Sequence, residues 1–452
     1  MAPNNLPQET IDHIISYLHD DKHSLSSTSL VRRSWAPQSR HYLFSSVSVK
    51  AYVASFDSFL QFVKHNADES KFSLPICTMV HTLHLSGPIV AGKLHEGLPI
   101  ITVAFVAELC SVLKKLKNLK FTTVQFGDAD IAEENRPENL QGLLDIRKTL
   151  TLDTFEAEVF WTRKPSLTNL PHVLSLFESV AELRILGPYW PADRPLFDEV
   201  VVDPIVPAVS APAISRVRLC LATYPPLILA LIRRRSPVSA LRSIDVSCFS
   251  SKDIRALGLI LRTIGPHVQQ LVLDLTSILT QYRDDPLDHV QEFDPSPCRN
   301  LETLGFRMSV ASDGTRCSDP GLKFLDVTSF LDKASHSLRK VVLILRIGRE
   351  DLESGSLQAI FQLALEAEFQ WLRVGLARRP EVKELEIRWV DEYHSAGVHG
   401  EPGFGPELQE ALESLSDVVR VKLAGITPRV TIDGQLYFME LEQCINGHRL
   451  GR

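Results

Sequence analysis

The residues of this 452-residue chain that could carry chemistry stand far apart or in the wrong order. Asp128, Asp130, Glu133 and Glu134 form the densest acidic group, but they lack the D-x-D-x-D-G order and closing glutamate of a calcium loop, and read as a solvated connector. His81 and His84 lie at i, i+3 on an extended stretch, so their rings point to opposite faces and cannot share a metal. Arg233-Arg234-Arg235 would suit a phosphate, yet at the end of the helical run LILALIRRR they also complement the negative end of the helix dipole. Gly403-Phe404-Gly405 is followed by Pro406 and makes a turn rather than a phosphate cradle. No H-E-x-x-H, G-x-S-x-G or P-loop string occurs, and no G-x-G-x-x-G follows a strand. The chain therefore reads as non-catalytic, with no cofactor and no metal.

Composition narrows the remaining classes. The net charge of −7, from 48 basic and 55 acidic residues, does not suggest a nucleic-acid partner, and the first fifty residues, with five Lys or Arg and four Asp or Glu, are nearly neutral. Seven cysteines (Cys77, Cys110, Cys220, Cys248, Cys298, Cys317 and Cys444) are scattered singly, an odd number without a C-x-x-C pair. Neither a disulfide framework nor a zinc site follows, and the compartment should be reducing. No N-x-S/T acceptor occurs and MAPNNLPQ has no secretory pattern. The most membrane-like run, Leu98 to Ala107, ends at Glu108, far short of the ~20 apolar residues that span a bilayer, and is expected as a buried helix. A cytoplasmic or nuclear location without membrane contact is expected.

The stretch whose residue order points to a partner is Leu6 to Phe44. Pro7 suits a first helical residue. Ile11, Ile14, Ile15 and Leu18 then fall at i, i+3, i+4 and i+7, a stripe expected to be buried. Ser24 is a candidate cap for a second helix with Leu25, Thr28 and Leu30. Trp35, Gln38, Ser39 and Tyr42 share a face of a third, with Pro37 in its first turn. Some forty-five residues without disulfide or metal cannot bury enough surface to be comfortably stable, so the segment must lean on something, either a partner or the rest of the chain.

Leu6-Pro7 with Glu9, the aliphatic helix Ile11, Ile14 and Leu18, Leu30-Val31 followed by Trp35, then Arg40 and Leu43-Phe44 resemble an F-box. The wording SLVRRSWAPQSRHYLF is similar to that of F-box proteins abundant in mushroom-forming (basidiomycete) fungi. Arg32 departs from the pattern, standing where many members have cysteine. The resemblance implies docking on the Skp adaptor of a cullin-RING ubiquitin ligase through Leu6, Pro7, Ile11, Ile14, Leu18, Leu30, Val31 and Trp35. Of these, Ile11 and Ile14, with Ile15, should face mostly inward, and Leu6, Pro7 and Trp35 outward.

From about residue 52 another regime begins. FDSFLQFVKH is an amphipathic helix placing Phe56, Phe59, Leu60 and Val63 together. A hexad, apolar-x-x-apolar-x-apolar, then recurs with central residues Leu83, Leu119, Leu183, Val217, Ile244, Leu271, Leu304, Val341, Leu385 and Val421, and more weakly at Leu152-Phe155. Helical stretches lie between, among them 103–117, 167–179, 226–235, 252–264 and 322–335. Strands joined by helical crossovers pair in parallel. The expected fold is α/β: a three-helix segment at 1–50, then at 51–452 an irregular solenoid with a parallel sheet, in which the hexads resemble those of leucine-rich repeats. The Asn or Cys ladder of such repeats is absent, and a doubly wound α/β domain is the alternative.

Pro-rich breaks at 187–195, 203–212 and 283–297 are loops, and Tyr189 and Trp190 in the first are large enough to anchor a partner. Trp371, Trp389 and Tyr393 are candidates for the core. RVTIDGQLYFME is expected as a hairpin blunting the last strand edge. In a horseshoe the residue between the second and third apolar positions faces the concave side, which makes His84, Lys120, Arg184, Arg218 and Asp245 a candidate groove for a target protein, with the first four basic or His. The resemblance thus implies a receptor subunit of a Skp–cullin–F-box ligase. Its rivals are an F-box scaffold outside any ligase and an α/β enzyme with an unrecognised site.

Overall fold

The structure, a computed structural model, describes residues 6–51, 55–67, 75–88, 98–127, 150–159, 169–186, 212–220, 232, 240–248, 251–274, 294–310, 321–347, 372–391 and 428–433. The acidic cluster at 128–134, Arg233–Arg235, the turn at 403–406, the hexad around Val421, the loops at 187–195 and 203–211, Trp190, Trp371 and Tyr393 lie outside the described residues. The chain divides into two compact units, Met1–Pro88 with His95–Arg184, and Ile89–Leu94 with Ile185–Arg452.

The first unit opens with α1 (Gln8–Ser16), α2 (Lys22–Val31) and α3 (Ala36–Ser45). Pro7 precedes α1 instead of beginning it: its backbone is extended at ψ 146°, while its carbonyl accepts the N–H groups of Thr10 and Ile11 at 3.0 and 3.2 Å. Asp21, not Ser24, caps α2, its carboxylate accepting the Ser24 N–H at 3.0 Å and the Ser24 hydroxyl. Pro37 sits in the first turn of α3.

Ile11, Ile15 and Leu25 form the small core of these helices, with Leu18, Trp35, Tyr42 and Leu43 packed around it. Ile14 is a correction to the sequence reading, because half of its surface is exposed (50%). The buried stripe of α1 runs through Ile11, Ile15 and Leu18, and Ile14 falls outside it.

α3 runs without a break into β1 (Ser46–Lys50), so residues 46–50 belong to the sheet. β1 pairs in parallel with β2 (Thr82–Ser86), Val47 opposite Leu83 and Val49 opposite Leu85. β3 (Ile100–Ile101) lies beside β4 (Asn118–Phe126), and β5 (Thr151–Val159) and β6 (Ser179–Leu186) follow in order. The buried helix expected over Leu98–Ala107 is thus a short strand and then α5 (Val103–Val112). Two β-branched isoleucines favour the strand, and the Thr102 hydroxyl, accepting the Phe105 N–H at 3.1 Å, starts the helix afterwards. α4 (Phe56–His65) buries Phe56, Leu60 and Val63, and the Phe56 ring packs on Phe105 of α5. A chain of ring contacts, Phe126 to Phe121 to Phe155 to Phe177, fills the space behind β4, β5 and the short α6 (Asn169–Leu174).

In the second unit β7 (Ala213–Cys220), β8 (Ser243–Ser247), β9 (Gln270–Asp274), β10 (Thr303–Val310), β11 (Lys340–Ile347), β12 (Glu384–Asp391) and β13 (Pro428–Asp433) lie side by side in chain order and pair in parallel. α7 (Ser251–Ile264) and α8 (Gly321–Lys333) are crossovers between them. The expected C-terminal hairpin is described only in its first arm, β13: Pro428 stands opposite Leu385 and Val430 opposite Ile387, so residues 428–433 continue the sheet in parallel, and the second arm, from Gly434 on, lies outside the described residues. The chain is therefore α/β with a parallel sheet in each unit.

The hexads are in register. Leu83, Leu119 and Phe155 align across the strands of the first unit, and Val217, Ile244, Leu271, Leu304, Val341 and Leu385 across those of the second, all of them buried. A backbone device repeats with them, one carbonyl accepting two successive N–H groups of the next repeat. His81 accepts from Lys117 and Asn118, Lys117 from Asp153 and Thr154, Arg242 from Gln269 and Gln270, Gln269 from Glu302 and Thr303, and Glu302 from Arg339 and Lys340. Each repeat thereby hands its first strand bonds to the next, which ties the register of neighbouring strands through the backbone.

Candidate interaction surfaces

Two surfaces gather the residues singled out in the sequence. On the helical segment, Leu6, Pro7, Ile14, Leu30 and Val31 are exposed, Leu30 to 84%. Leu18 and Trp35 are half-buried against the small core, and Ile11 is inside it, where it holds α1 in place and offers no surface. Trp35 thus packs inward more than expected; its indole N–H, like the Ser39 hydroxyl, is buried without a protein hydrogen-bond partner. Tyr17 is an exposed aromatic at 73% that the sequence reading did not select, although its spacing of three residues from Ile14 on α1 was the available signal.

The second is one face of each unit's strands, half-buried in the first unit at His84, Lys120, Glu156 and Arg184 and buried in the second at Asp245, Val272, Val342 and Glu386. Successive side chains of a strand alternate faces, so the residues next to the buried hexad centres form rows on the opposite side. In the first unit one row reads Ser48, His84, Lys120, Glu156; in the second it reads Arg218, Asp245, Val272, Gly305, Val342, Glu386. The groove candidates therefore lie in such rows, while Arg184 sits on β6 within ion-pair reach of Glu156.

The basic residues of this face are matched laterally. Lys120 Nζ is 3.2 Å from Glu156, and Arg184 lies 3.4 Å from Glu156 and 2.9 Å from Glu182. The hydrogen bond to Glu182, opposed by burial and aided by both carboxylate charges, holds the Arg184 guanidinium above its usual range. His84 Nε2 lies 2.7 Å from the Thr122 hydroxyl.

In the second unit Arg307 spans two strands and grips Asp245 with both terminal nitrogens, at 3.1 and 2.9 Å. Asp274, 3.8 Å away, accepts from Ser247 at 3.0 Å. Arg218 Nε approaches Asp245 at 3.2 Å without hydrogen-bond alignment, a charge contact only. Glycine at 305 is required by close approach: a Cβ there would stand 2.9 Å from Val272 Cγ2. Further along, Lys340 Nζ bonds Glu386 at 2.6 Å and Glu384 at 2.7 Å, and Arg388 bonds Glu386 at 2.6 Å.

β4 carries a local distortion beside this face. The pairing with β5 slips between Phe121 and Val124, and Thr123 takes φ 51°, unusual for a β-branched residue. Its carbonyl then sits where a side chain at Gly87 would be, 1.9 Å from an ideal Cβ. Among the described residues no group of three His, Cys, Asp or Glu is placed to hold a metal, and Cys110 and Cys298 are free thiols. No protein-family model matches the chain, and no curated protein matches it at a significant level.

Proposed function

We propose that this chain is the substrate-recognition subunit of a Skp–cullin–F-box ubiquitin ligase. In this reading α1 to α3 are the F-box, and Leu6, Pro7, Ile14, Tyr17, Leu30 and Val31 take the adaptor. The strand-and-crossover repeats are an irregular leucine-rich-repeat-like solenoid whose polar sheet face takes the target. The supporting observation is where apolar surface is left uncovered: of the nine large hydrophobics exposed among the described residues, five (Leu6, Ile14, Tyr17, Leu30 and Val31) belong to α1, α2 and their approach. Large apolar side chains left exposed on a segment with so small a core are what an interface requires.

The chain itself makes and breaks no bond. It holds a target near a ubiquitin-charged enzyme recruited through the adaptor, raising the effective concentration of the target's lysines. Such complexes work in the cytoplasm and nucleus, and no helix of the described residues is long and apolar enough to cross a membrane.

The test is co-expression with a Skp adaptor and affinity capture. Wild type should retain the adaptor, while Leu30→Asp/Val31→Asp and Leu6→Ala/Pro7→Ala should lose it with unchanged circular dichroism. Equal capture by folded variants would remove the basis of the reading. Recovery of cullin and ubiquitylated protein with the adaptor selects the ligase; adaptor alone selects a scaffold.

A further inference from the structure

In the first unit a hollow of about 300 Å³ opens where the turn after α5 meets the start of β5. Its inner wall is apolar: Cys110, Leu113, Leu116, Leu152 and Phe177, all buried. Its rim is cationic, with Lys114, Lys115 and Lys117 exposed and His81 half-buried.

The lysines of this rim differ from others in the unit. Lys64 pairs with Glu108 and Lys120 with Glu156, whereas none of the three rim lysines has a carboxylate partner among the described residues. Beside this rim the His41 and His81 rings stand 5.8 Å apart, and burial first, then the charges of His81 and Lys115, hold His41 below its usual range. Lys114 and Lys115 follow the C-terminus of α5, a position the helix dipole favours. The dipole does not account for Lys117 beyond that turn, nor for an apolar hollow behind the cations. Nearby backbone groups are already engaged, the His81 carbonyl by Lys117 and Asn118 and the Leu150 carbonyl by Glu178, so side chains are what the hollow offers.

We propose that this hollow recognises an acidic peptide, one bulky apolar side chain entering between Leu113, Leu116 and Phe177 while flanking carboxylates lie on Lys114, Lys115 and Lys117. The volume accepts a phenylalanine or leucine side chain with room to spare, and it is at the small end of ligand pockets. Three cations spread along a turn exceed what a single headgroup neutralises and suit a run of carboxylates. This site is independent of the adaptor-binding face and adds a chemical class to whatever the chain binds.

The experiment is fluorescence anisotropy on the full chain with a fluorescein-labelled Asp-Glu-Phe-Glu-Asp peptide. Binding should fall at least about tenfold for Lys114→Glu/Lys115→Glu/Lys117→Glu, whose side chains are exposed so that the fold survives, as circular dichroism checks. It should fall similarly when the peptide's phenylalanine is serine, and near 1 M salt, where screening reaches about 3 Å. Undiminished binding by the triple variant or to the serine peptide would overturn the proposal. So would no peptide binding by wild type, or binding of decanoate in place of the peptide, which would make the hollow a site for small amphiphiles. Adaptor capture scored on the same preparations separates failure here from failure of the ligase reading.

Discussion

Asp245→Asn tests whether the polar face of the second unit is held by its buried charges. Asp245 takes both terminal nitrogens of Arg307, at 3.1 and 2.9 Å, and the Arg307 side chain is only 7% exposed. Removing one partner of a buried pair costs about 3–5 kcal/mol, because the other charge is left without compensation. Two features reduce that here. Asp274 still faces Arg307 at 3.8 Å, and Arg218, 35% exposed, loses a contact that solvent largely screens. The expected cost is about 2–3 kcal/mol.

Global unfolding of a chain with two units is a poor gauge of a local change, so amide hydrogen exchange of residues 243–247, 270–274 and 303–310 is the assay. At about 1.4 kcal/mol per tenfold, exchange should accelerate roughly 30- to 140-fold there and stay constant in β2 and β4. The penalty comes from a stranded guanidinium, so Asp245→Asn/Arg307→Met should be less destabilised than Asp245→Asn. Acceleration under about twofold in the single variant, or simple addition in the double, would refute the reasoning.

Three further outcomes follow from local geometry. Gly87→Ala places a methyl against the Thr123 carbonyl and should cost about 3 kcal/mol or more, read as loss of exchange protection across β2 and β4; a neutral effect would mean the distortion at Thr123 relaxes freely. Burial pushes Glu386 up, but its bonds to Arg388 and Lys340 outweigh this and hold it below the usual carboxylate value; the same carboxylates, against burial, hold Lys340 above the usual lysine value. The Glu386 contribution is therefore present above pH about 4.3 and lost as pH falls through its lowered value. That of Lys340 is present below about 10.4 and lost as pH rises through its raised value, so the protection factors of β11 and β12, the intrinsic exchange rate at each pH divided by the observed one, should be highest between these limits and independent of pH if the pair is unimportant. Burial pushes the Cys110 and Cys298 thiols up to about 12, with Asp294 adding to the second; both should resist iodoacetamide in the native chain and react in urea, and rapid native labelling would contradict their enclosure.

The hexads made the sheet legible because an apolar centre repeated beside a β-branched or long neighbour has one low-energy arrangement, the buried face of a parallel strand. Even the weak copy at Leu152-Phe155 is in register, Phe155 opposite Leu119. β1 is not legible as a hexad although SVSVK alternates with period two, since it has no leading apolar residue and follows a helix without a turn. On α1 periodicity placed four aliphatic residues together but could not say how wide a stripe the neighbouring helices cover, and Ile14 was left out. Lateral ion pairs were beyond reach for a different reason. Asp245 and Arg307 are 62 residues apart in sequence, and their meeting depends on the register that places β9 between their strands.

A parallel sheet usually has both faces covered by helices and reads apolar on both. Here one face carries charged rows, and those rows neutralise themselves: Lys120 and Arg184 against Glu156 and Glu182, Arg218 and Arg307 against Asp245 and Asp274. A target laid on such a face meets ions that already have partners, so it gains little from net charge and must compete through shape and hydrogen bonds. The rim of Lys114, Lys115 and Lys117 is the opposite case, without carboxylate partners among the described residues. Salt should therefore barely weaken a partner bound along the strands and strongly weaken one bound at the hollow, which makes ionic-strength dependence a direct report of where on the first unit a target sits.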